Sequence, residues 1–515
     1  MPTLRTALSA LRPLGVTEDT EQDVTLRPFS VEHPAARNST SAAVISRNSR
    51  FMPEYAFFAK IQKNPIFALH FLKGYAKQGL MKKVYIETYG CQMNVNDTEV
   101  VFSILAKEGY ERTTEIGEAD VIMANTCSVR DNAEQRIWGR IEQFNLQRRD
   151  RPVVIGILGC MAERLKDKLL DTRKVDIVAG PDAYRSLPRL LEAVSDGHPQ
   201  IDVMLSREET YADINPVRID SNGVSAFISI MRGYNNVCSY CVVPYTRGAE
   251  RSRDPRTIVR EACDCFSRGY REVTLLGQNV NSYKDPENGK TFAALLHEIS
   301  EKTALKRIRF ITSHPKDFGE ELAKAFGEIP NLMPYLHLPA QSGNNRILKL
   351  MNRRYTVENY IEKMELARKY CPDIALSSDF IVGFPGETRE EFEDTMKLVD
   401  LVGYDSIFAF NYSPRPFTKA EKMADDVPEE EKFARLNELL DLEKRRLKDV
   451  RGRYLGRTVN VLVESASPKG DTFMGRSEHN LIVHISGSTA SDKGKIVPVK
   501  VVEILENTMR GEKIG

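Results

Sequence analysis

The sequence predicts an α/β chain of three successive blocks: a parallel-sheet domain, a partial β/α barrel of six units, and a small antiparallel β-barrel. Three observations lead there. A length of 515 residues exceeds one ordinary core and suits about three domains of roughly 150 residues. Strand-length apolar runs alternate with amphipathic helical runs through most of the chain, as parallel sheets require. After residue 454 the alternation yields to short β runs separated by Gly and Ser, which fits a small antiparallel barrel.

The apolar fraction of 41% suits soluble globular domains. A net charge of +1, from 73 Lys and Arg against 72 Asp and Glu, gives no global field for nucleic acid, so any basic surface must be local. Eight cysteines in so long a chain are too sparse for a disulfide scaffold and favour the cytosol and metal chemistry. The best apolar run, 65–72, is too short to span a bilayer, so no membrane partner is expected. Residues 1–80 are predicted to form a disordered extension, and Glu18, Asp19, Glu21, Asp23 and Glu32 argue against an organelle transit peptide. Met81 begins the first patterned strand, so Met52 and Met81 stand beside Met1 as candidate starts.

In the first block, predicted strands over 84–89, 120–125 and 153–158 lead to Cys91, Cys127 and Cys160, with helices expected over 97–108, 132–144 and 162–170. This is a β-α repeat of the Rossmann or flavodoxin-like kind. Its ligand edge is formed by the carboxyl ends of the strands, where three distant cysteines can meet. Three thiolates at one edge suit an iron–sulfur cluster with one unprotected iron. Three separately buried structural cysteines are the alternative, disfavoured by the repeated placement at strand ends.

The second block carries predicted strands over 227–231, 272–276, 307–312, 335–338, 375–381 and 406–411. Barrel logic places chemistry in the loops after strands, and the first such loop holds Cys238 and Cys241. Gln278, Asn279 and Ser313 are candidate polar cofactor contacts at strand ends, and Gly383, Gly386 and Glu387 lie in a Gly-Pro loop able to bring backbone close to a cofactor. His314 and His337 are read as structural. Cys263 and Cys265, in a helix expected over 257–268, are read as packing residues, and Cys371 has no cluster partner in sequence. Arg346, Lys349, Arg353 and Arg354 suit either phosphate contact or a solvated helix face. The third block has predicted strands over 458–464, 480–485 and 495–504, preceded by a cationic run over 443–454 open to the same two readings.

Ordered motifs then carry a family resemblance over nearly everything from residue 81 onward. Thr88-Tyr89-Gly90-Cys91-Gln92-Met93-Asn94, Asn125-Thr126-Cys127-Ser128-Val129-Arg130 and Gly159-Cys160-Met161-Ala162-Glu163-Arg164 resemble the N-terminal motifs of methylthiotransferases. Cys238-Ser239-Tyr240-Cys241-Val242-Val243-Pro244-Tyr245-Thr246-Arg247-Gly248 resembles their radical S-adenosylmethionine (SAM) motif, with further matches at 277–281, 313–317, 337–343 and 383–388. The resemblance implies a methylthiotransferase domain over 82–198, a radical SAM barrel over 221–450 and a TRAM RNA-binding barrel over 451–512. It implies two 4Fe-4S clusters, an auxiliary one on Cys91, Cys127 and Cys160 and a radical one involving Cys238 and Cys241. SAM would be contacted by Gln278, Asn279, Ser313, Gly383, Gly386 and Glu387. The Tyr-Gly-Cys-Gln-Met-Asn wording is most similar to members that methylthiolate carbon 2 of N(6)-dimethylallyladenosine at position 37 of tRNA, a C–H bond whose activation a 5′-deoxyadenosyl radical must carry. Implied partners are that tRNA, an electron donor such as flavodoxin or ferredoxin, and a sulfur donor system; the implied protein is a cytoplasmic monomer.

Two positions depart from the family. Its radical motif is Cys-x-x-x-Cys-x-x-Cys, and counting back from Cys238 puts the first cysteine at Tyr234. A phenol is a harder, bulkier donor with an ordinary pKa of about 10, so a cube on Cys238 and Cys241 alone should be labile. A damaged or misread gene, a catalytically silent tRNA-binding homologue and a tyrosine- or water-ligated cluster all remain open, as does a different substrate such as a ribosomal protein. The second departure is Arg415-Pro416-Phe417-Thr418, where relatives usually carry Arg-Pro-Gly-Thr.

Overall fold

Val121–Thr126 is buried at every position and Val154–Gly159 nearly so, which is the pattern of central strands covered on both faces. They belong to a computed structural model that describes residues 82–128, 131–194, 197–219, 222–467, 470 and 472–514. The extension expected over 1–80 lies outside the described residues, as does the apolar run 65–72.

The first block runs β1 (Lys82–Thr88), α1 (Gln92–Lys107), β2 (Tyr110–Arg112), β3 (Val121–Thr126), α2 (Asp131–Leu146), β4 (Val154–Gly159), α3 (Cys160–Leu165), β5 (Ile177–Ala179), α4 (Leu187–Val194) and β6 (Gln200–Asp202). Its sheet has the order β2-β1-β3-β4-β5-β6, and every pair is parallel. Helix α1 begins five residues earlier than periodicity predicts. Its first turns carry Asn94, Asn96, Asp97, Thr98 and Glu99, all buried, so no apolar stripe marks them.

The second block contains β7 (Ser225–Ser229), β8 (Met231–Arg232), α5 (Val243–Arg247), β9 (Arg251–Ser252), α6 (Pro255–Ser267), β10 (Glu272–Leu276), α7 (Phe292–Lys302), β11 (Arg307–Phe310), α8 (Glu320–Glu328), β12 (Tyr335–His337), α9 (Asn345–Leu350), α10 (Val357–Tyr370), β13 (Ala375–Val382), α11 (Arg389–Val402), β14 (Ser406–Asn411) and α12 (Glu429–Gly452). The expected six parallel strands are present as two sheets, β11-β10-β7 and β12-β13-β14. One core running from Ile228 to Ile407 joins them into a partial barrel.

Strands β15 (Thr458–Ala466), β16 (Phe473–Ser477), β17 (Ile482–Ser486), β18 (Ile496–Ile504) and β19 (Met509–Lys513) close into the predicted small barrel. Its β17·β19 pair is parallel and the others antiparallel. β16 and β19 escape sequence reading because Gly475 and Gly511 interrupt their short runs. Arg307 donates to the carbonyls of Arg476 and Asn460, both at 2.7 Å, and Arg309 to those of Ser477 at 2.7 Å and Glu478 at 3.0 Å, docking this barrel on β11. The cationic run over 443–454 is partly turned inward: Arg451 donates to the Asp405 carbonyl at 2.8 Å, and Arg453 pairs with the Asp405 carboxylate at 2.9 Å. Those two arginines hold structure and do not face phosphate.

A buried charge network ties the first block to the second. Asp97 on α1 accepts from Arg232 at 2.7 Å and Arg247 at 2.6 Å, while Asp182 accepts from Arg251 at 2.8 Å. Removing one partner of such a buried set leaves an uncompensated charge. Asp97→Asn is therefore expected to lower unfolding stability by about 3–5 kcal/mol, read as a reduced urea midpoint at unchanged slope.

Candidate metal and cofactor site

Neighbouring strands β1, β3 and β4 pair Thr88 with Asn125 and Thr126 with Gly159, so the residues that follow them share one sheet edge. Cys91 caps α1, Cys127 follows β3, and Cys160 begins α3. The edge is crowded in a way that needs glycine. Gly90 has φ +133°, and a Cβ there would lie 2.7 Å from the Cys127 Cβ; Gly159 has φ +86°, and a Cβ there would lie 2.4 Å from Asn125 Oδ1. Asn94 braces the turns, accepting from the Cys91 thiol at 3.3 Å and donating to Asn125 Oδ1 and the Thr126 carbonyl, both at 3.2 Å. The thiols are spread along the edge: among the described residues no group of three His, Cys, Asp or Glu could hold a single metal ion.

Cys127 and Cys160 are buried, whereas Cys91 is exposed. Burial raises the Cys160 pKa, opposed by the Arg247 guanidinium, whose Nε lies 3.2 Å from its Sγ. Arg247 thus touches Asp97 and Cys160 together. Arg415 is electrostatically coupled to Cys127, although burial dominates its own lowered pKa.

The second cysteine loop follows β8. The Tyr234 amide donates to the Gly248 carbonyl at 2.9 Å, and the Cys241 amide to the Cys238 carbonyl at 3.1 Å. Burial, reinforced by Cys238, pushes the Cys241 thiol up to about 12. Tyr234 stands beside both thiols with its phenol in hydrogen-bond contact with Cys238; burial first, then the two thiols, holds its pKa well above the ordinary value. A protonated phenol is no substitute for a thiolate, so a three-thiolate cube does not fit this loop. Arg353 is 3% exposed and aims inward, with Nη1 3.4 Å from Cys238 Sγ and Nη2 2.8 Å from the Pro339 carbonyl. Neither sequence reading of Arg353 survives: it meets no solvent and has no room for a phosphate. Arg346 pairs with Glu391.

Gln278 and Asn279 follow β10, and Ser313 follows β11. Gln278 Oε1, Asn279 Oδ1, Ser313 Oγ and His314 Nε2 are buried without a hydrogen-bond partner among the described residues. Such orphaned atoms suit a polar ligand. Gly383 and Gly386 both have positive φ in the loop after β13, where Glu387 accepts from the Gly383 amide at 2.6 Å and from Arg435 at 3.0 Å. His314 Nδ1 accepts from the Lys316 amide, and burial lowers its pKa to about 2, keeping it neutral. His337 bonds Ser377 at 2.8 Å, a structural role. Cys265 is buried as expected; Cys263 is exposed, and its thiol reaches only the Lys302 carbonyl, at 3.5 Å, so it is not the packing residue expected. Sequence reasoning missed Asn94, Asp97, Asn125 and Arg247, although each lies in or beside a quoted cysteine motif.

Three family models match the chain: Uncharacterized protein family UPF0004 over residues 83–180, the Radical SAM superfamily over 228–399, and the TRAM domain over 452–514. A Bacteroides fragilis protein described as tRNA-2-methylthio-N(6)-dimethylallyladenosine synthase is 46% identical over 439 residues, covering 84% of this chain and 96% of its own length. One from Amoebophilus asiaticus with the same description is 49% identical over 451 residues, covering 84% and 93%. Among solved structures, a radical S-adenosylmethionine methyltransferase from Kitasatospora setae, with cobalamin and a [4Fe-4S] cluster bound, matches at a TM-score of 0.50 and 14% identity. That match covers 66% of this chain and 74% of the other, a likeness of fold.

Exposure and thiol pKa together order the cysteines by reactivity. Alkylation of the metal-free protein at pH 8, followed by peptide mapping, is expected to label exposed Cys91 and Cys263 first and Cys160 and Cys241 last. The Cys241 rate should rise about tenfold per pH unit toward its pKa.

Proposed function

We propose, from the family of tRNA-2-methylthio-N(6)-dimethylallyladenosine synthases to which the chain belongs, that it is built to methylthiolate carbon 2 of N(6)-dimethylallyladenosine at position 37 of tRNA, and that Tyr234 impairs its radical step. Cys91, Cys127 and Cys160 would hold an auxiliary 4Fe-4S cluster. The observation that carries this is the glycine-relieved sheet edge along which the three cysteines stand. Thiolates are the soft donors such a cube takes. When bound, SAM and the clusters supply sulfur and methyl transfer and the one-electron chemistry an aromatic C–H bond demands. The protein's own groups position and polarise. Arg247 places positive charge against Cys160, and Asp97 holds that guanidinium still. The orphaned oxygens of Gln278, Asn279 and Ser313 would receive the polar groups of SAM, and the braced 383–387 loop would bring backbone to it.

The radical cluster does not fit as the chain stands, because the position that should supply its first thiolate holds a protonated phenol. That same observation favours the second reading, a catalytically silent homologue that still binds tRNA. An electron donor, a sulfur donor, a monomeric state and a cytoplasmic setting belong to the active reading. Among the described residues no helix is long and apolar enough to cross a membrane.

Anaerobic reconstitution with iron and sulfide separates the readings. The unaltered chain is expected to take up iron for one cube and form no 5′-deoxyadenosine, and Tyr234→Cys to take up a second cube and regain that product. Two cubes with turnover in the unaltered chain would refute the impairment. Mass spectrometry of tRNA nucleosides from cells with and without the Tyr234→Cys gene tests the substrate: an unchanged 2-methylthio content excludes tRNA. The guanidinium at Cys160 makes a separate prediction. Arg247→Gln should shift the auxiliary cluster's reduction potential downward in redox titration, since a nearby positive charge stabilises the added electron.

A further inference from the structure

Among the described residues Phe417 is an aromatic side chain left largely in solvent. Its backbone has φ +74°, a region that bulky L-residues rarely occupy, and its side chain is 58% exposed, so strain is held without compensating burial. The turn is fixed from both sides: the Phe417 amide donates to Glu421 at 2.9 Å, and Thr418 Oγ1 donates to the Arg415 carbonyl at 2.7 Å. Phe417 is not alone. Tyr245, 49% exposed on α5, lies with its ring centroid 6.2 Å away and the two planes at 42°.

The pair's position is what gives it meaning. Tyr245 stands between Cys241 and the Arg247 that reaches Cys160. Phe417 stands between Arg415, electrostatically coupled to Cys127, and Ala420, whose amide donates to the Ser239 carbonyl at 2.8 Å. Both rings therefore rise from the segments that join the two cysteine groups. Lys419 and Lys422 are exposed on the same stretch as Phe417, with Glu421, the acceptor of the Phe417 amide, between them.

We infer that Tyr245 and Phe417 form a stacking platform for an unpaired nucleobase of the substrate RNA loop, at the rim between the two cysteine groups. Exposed aromatic faces flanked by cations hold single-stranded bases by stacking and the backbone by charge, with little sequence preference. A base in a duplex cannot offer its face, so the platform selects unpaired RNA. The inference rests on the tRNA reading and deepens it by naming a contact surface for the RNA.

The test uses the full chain and two RNA probes: a hairpin with 2-aminopurine in its loop, and a blunt duplex of equal length. Wild type is expected to bind the hairpin and quench the 2-aminopurine. Phe417→Ala and Tyr245→Ala should each weaken hairpin binding roughly 5- to 150-fold and abolish the quench, leaving duplex binding unchanged. Phe417→Gly guards against misfolding, because glycine is unstrained at this φ; it should lose hairpin affinity equally while its melting temperature holds or rises. Wild-type hairpin binding that all three variants retain would overturn the platform alone. Failure of the wild-type chain to bind either RNA would overturn the tRNA reading, and the platform with it.

Discussion

One buried carboxylate, Asp97, sets the relation between the two halves of the site. It sits on the first turns of α1, six residues after Cys91, and takes guanidinium groups from Arg232 and Arg247 of the following block. Arg247 in turn reaches Cys160. A single charge group thus registers the edge of one sheet against the loop of another domain. Buried ion pairs of this kind add little net stability over an apolar contact, because desolvation offsets their attraction. What they supply here is uniqueness of arrangement: two guanidiniums forced to share one carboxylate leave the sheet edge and α5 a single mutual position.

Each cysteine group then has a buried guanidinium beside one sulfur. Arg247 faces Cys160 in the first, and Arg353 faces Cys238 in the second. A fixed guanidinium beside one sulfur favours anionic thiolate or cluster sulfur and orients it. Arg353 is held by the Pro339 carbonyl and the Tyr355 hydroxyl at 2.8 Å each, so it stays in place beside Tyr234. In this loop the departure from the motif lies in one donor. The impairment proposed at Tyr234 would therefore be chemical, since its amide bond to Gly248 and the Arg353 contact with Cys238 are both in place around it.

The larger architecture was legible because burial leaves periodic marks. All three strands leading to cysteines and all six barrel strands appear where apolar runs predicted them. The three-residue strands β2, β5 and β6 were not read, while β12, equally short, was. The start of α1 was hidden for a different reason, since its buried face carries Asn, Asp, Thr and Glu paired with β3 and with the next block. The same blindness applied to Arg247 and Arg353. Sequence presents an arginine as a surface charge, and only tertiary structure reveals a carboxylate, a carbonyl or a sulfur waiting inside.

The C-terminal barrel is held by the same kind of inward-turned arginine. Arg307 and Arg309 dock it through backbone carbonyls, with Glu272 beneath Arg309 at 2.8 Å. Burial, aided by its neighbour Arg309, pulls the Arg307 pKa down to about 10, so it remains charged under physiological conditions. Carbonyl acceptors do not titrate, and these contacts are too buried for salt to screen strongly. The barrel is consequently held against β11 by contacts insensitive to the ionic conditions that govern phosphate binding. An RNA contacting the barrel and the block that carries β11 would meet two surfaces already spaced by the protein, and the cost of ordering them would have been met in folding, before the RNA arrives.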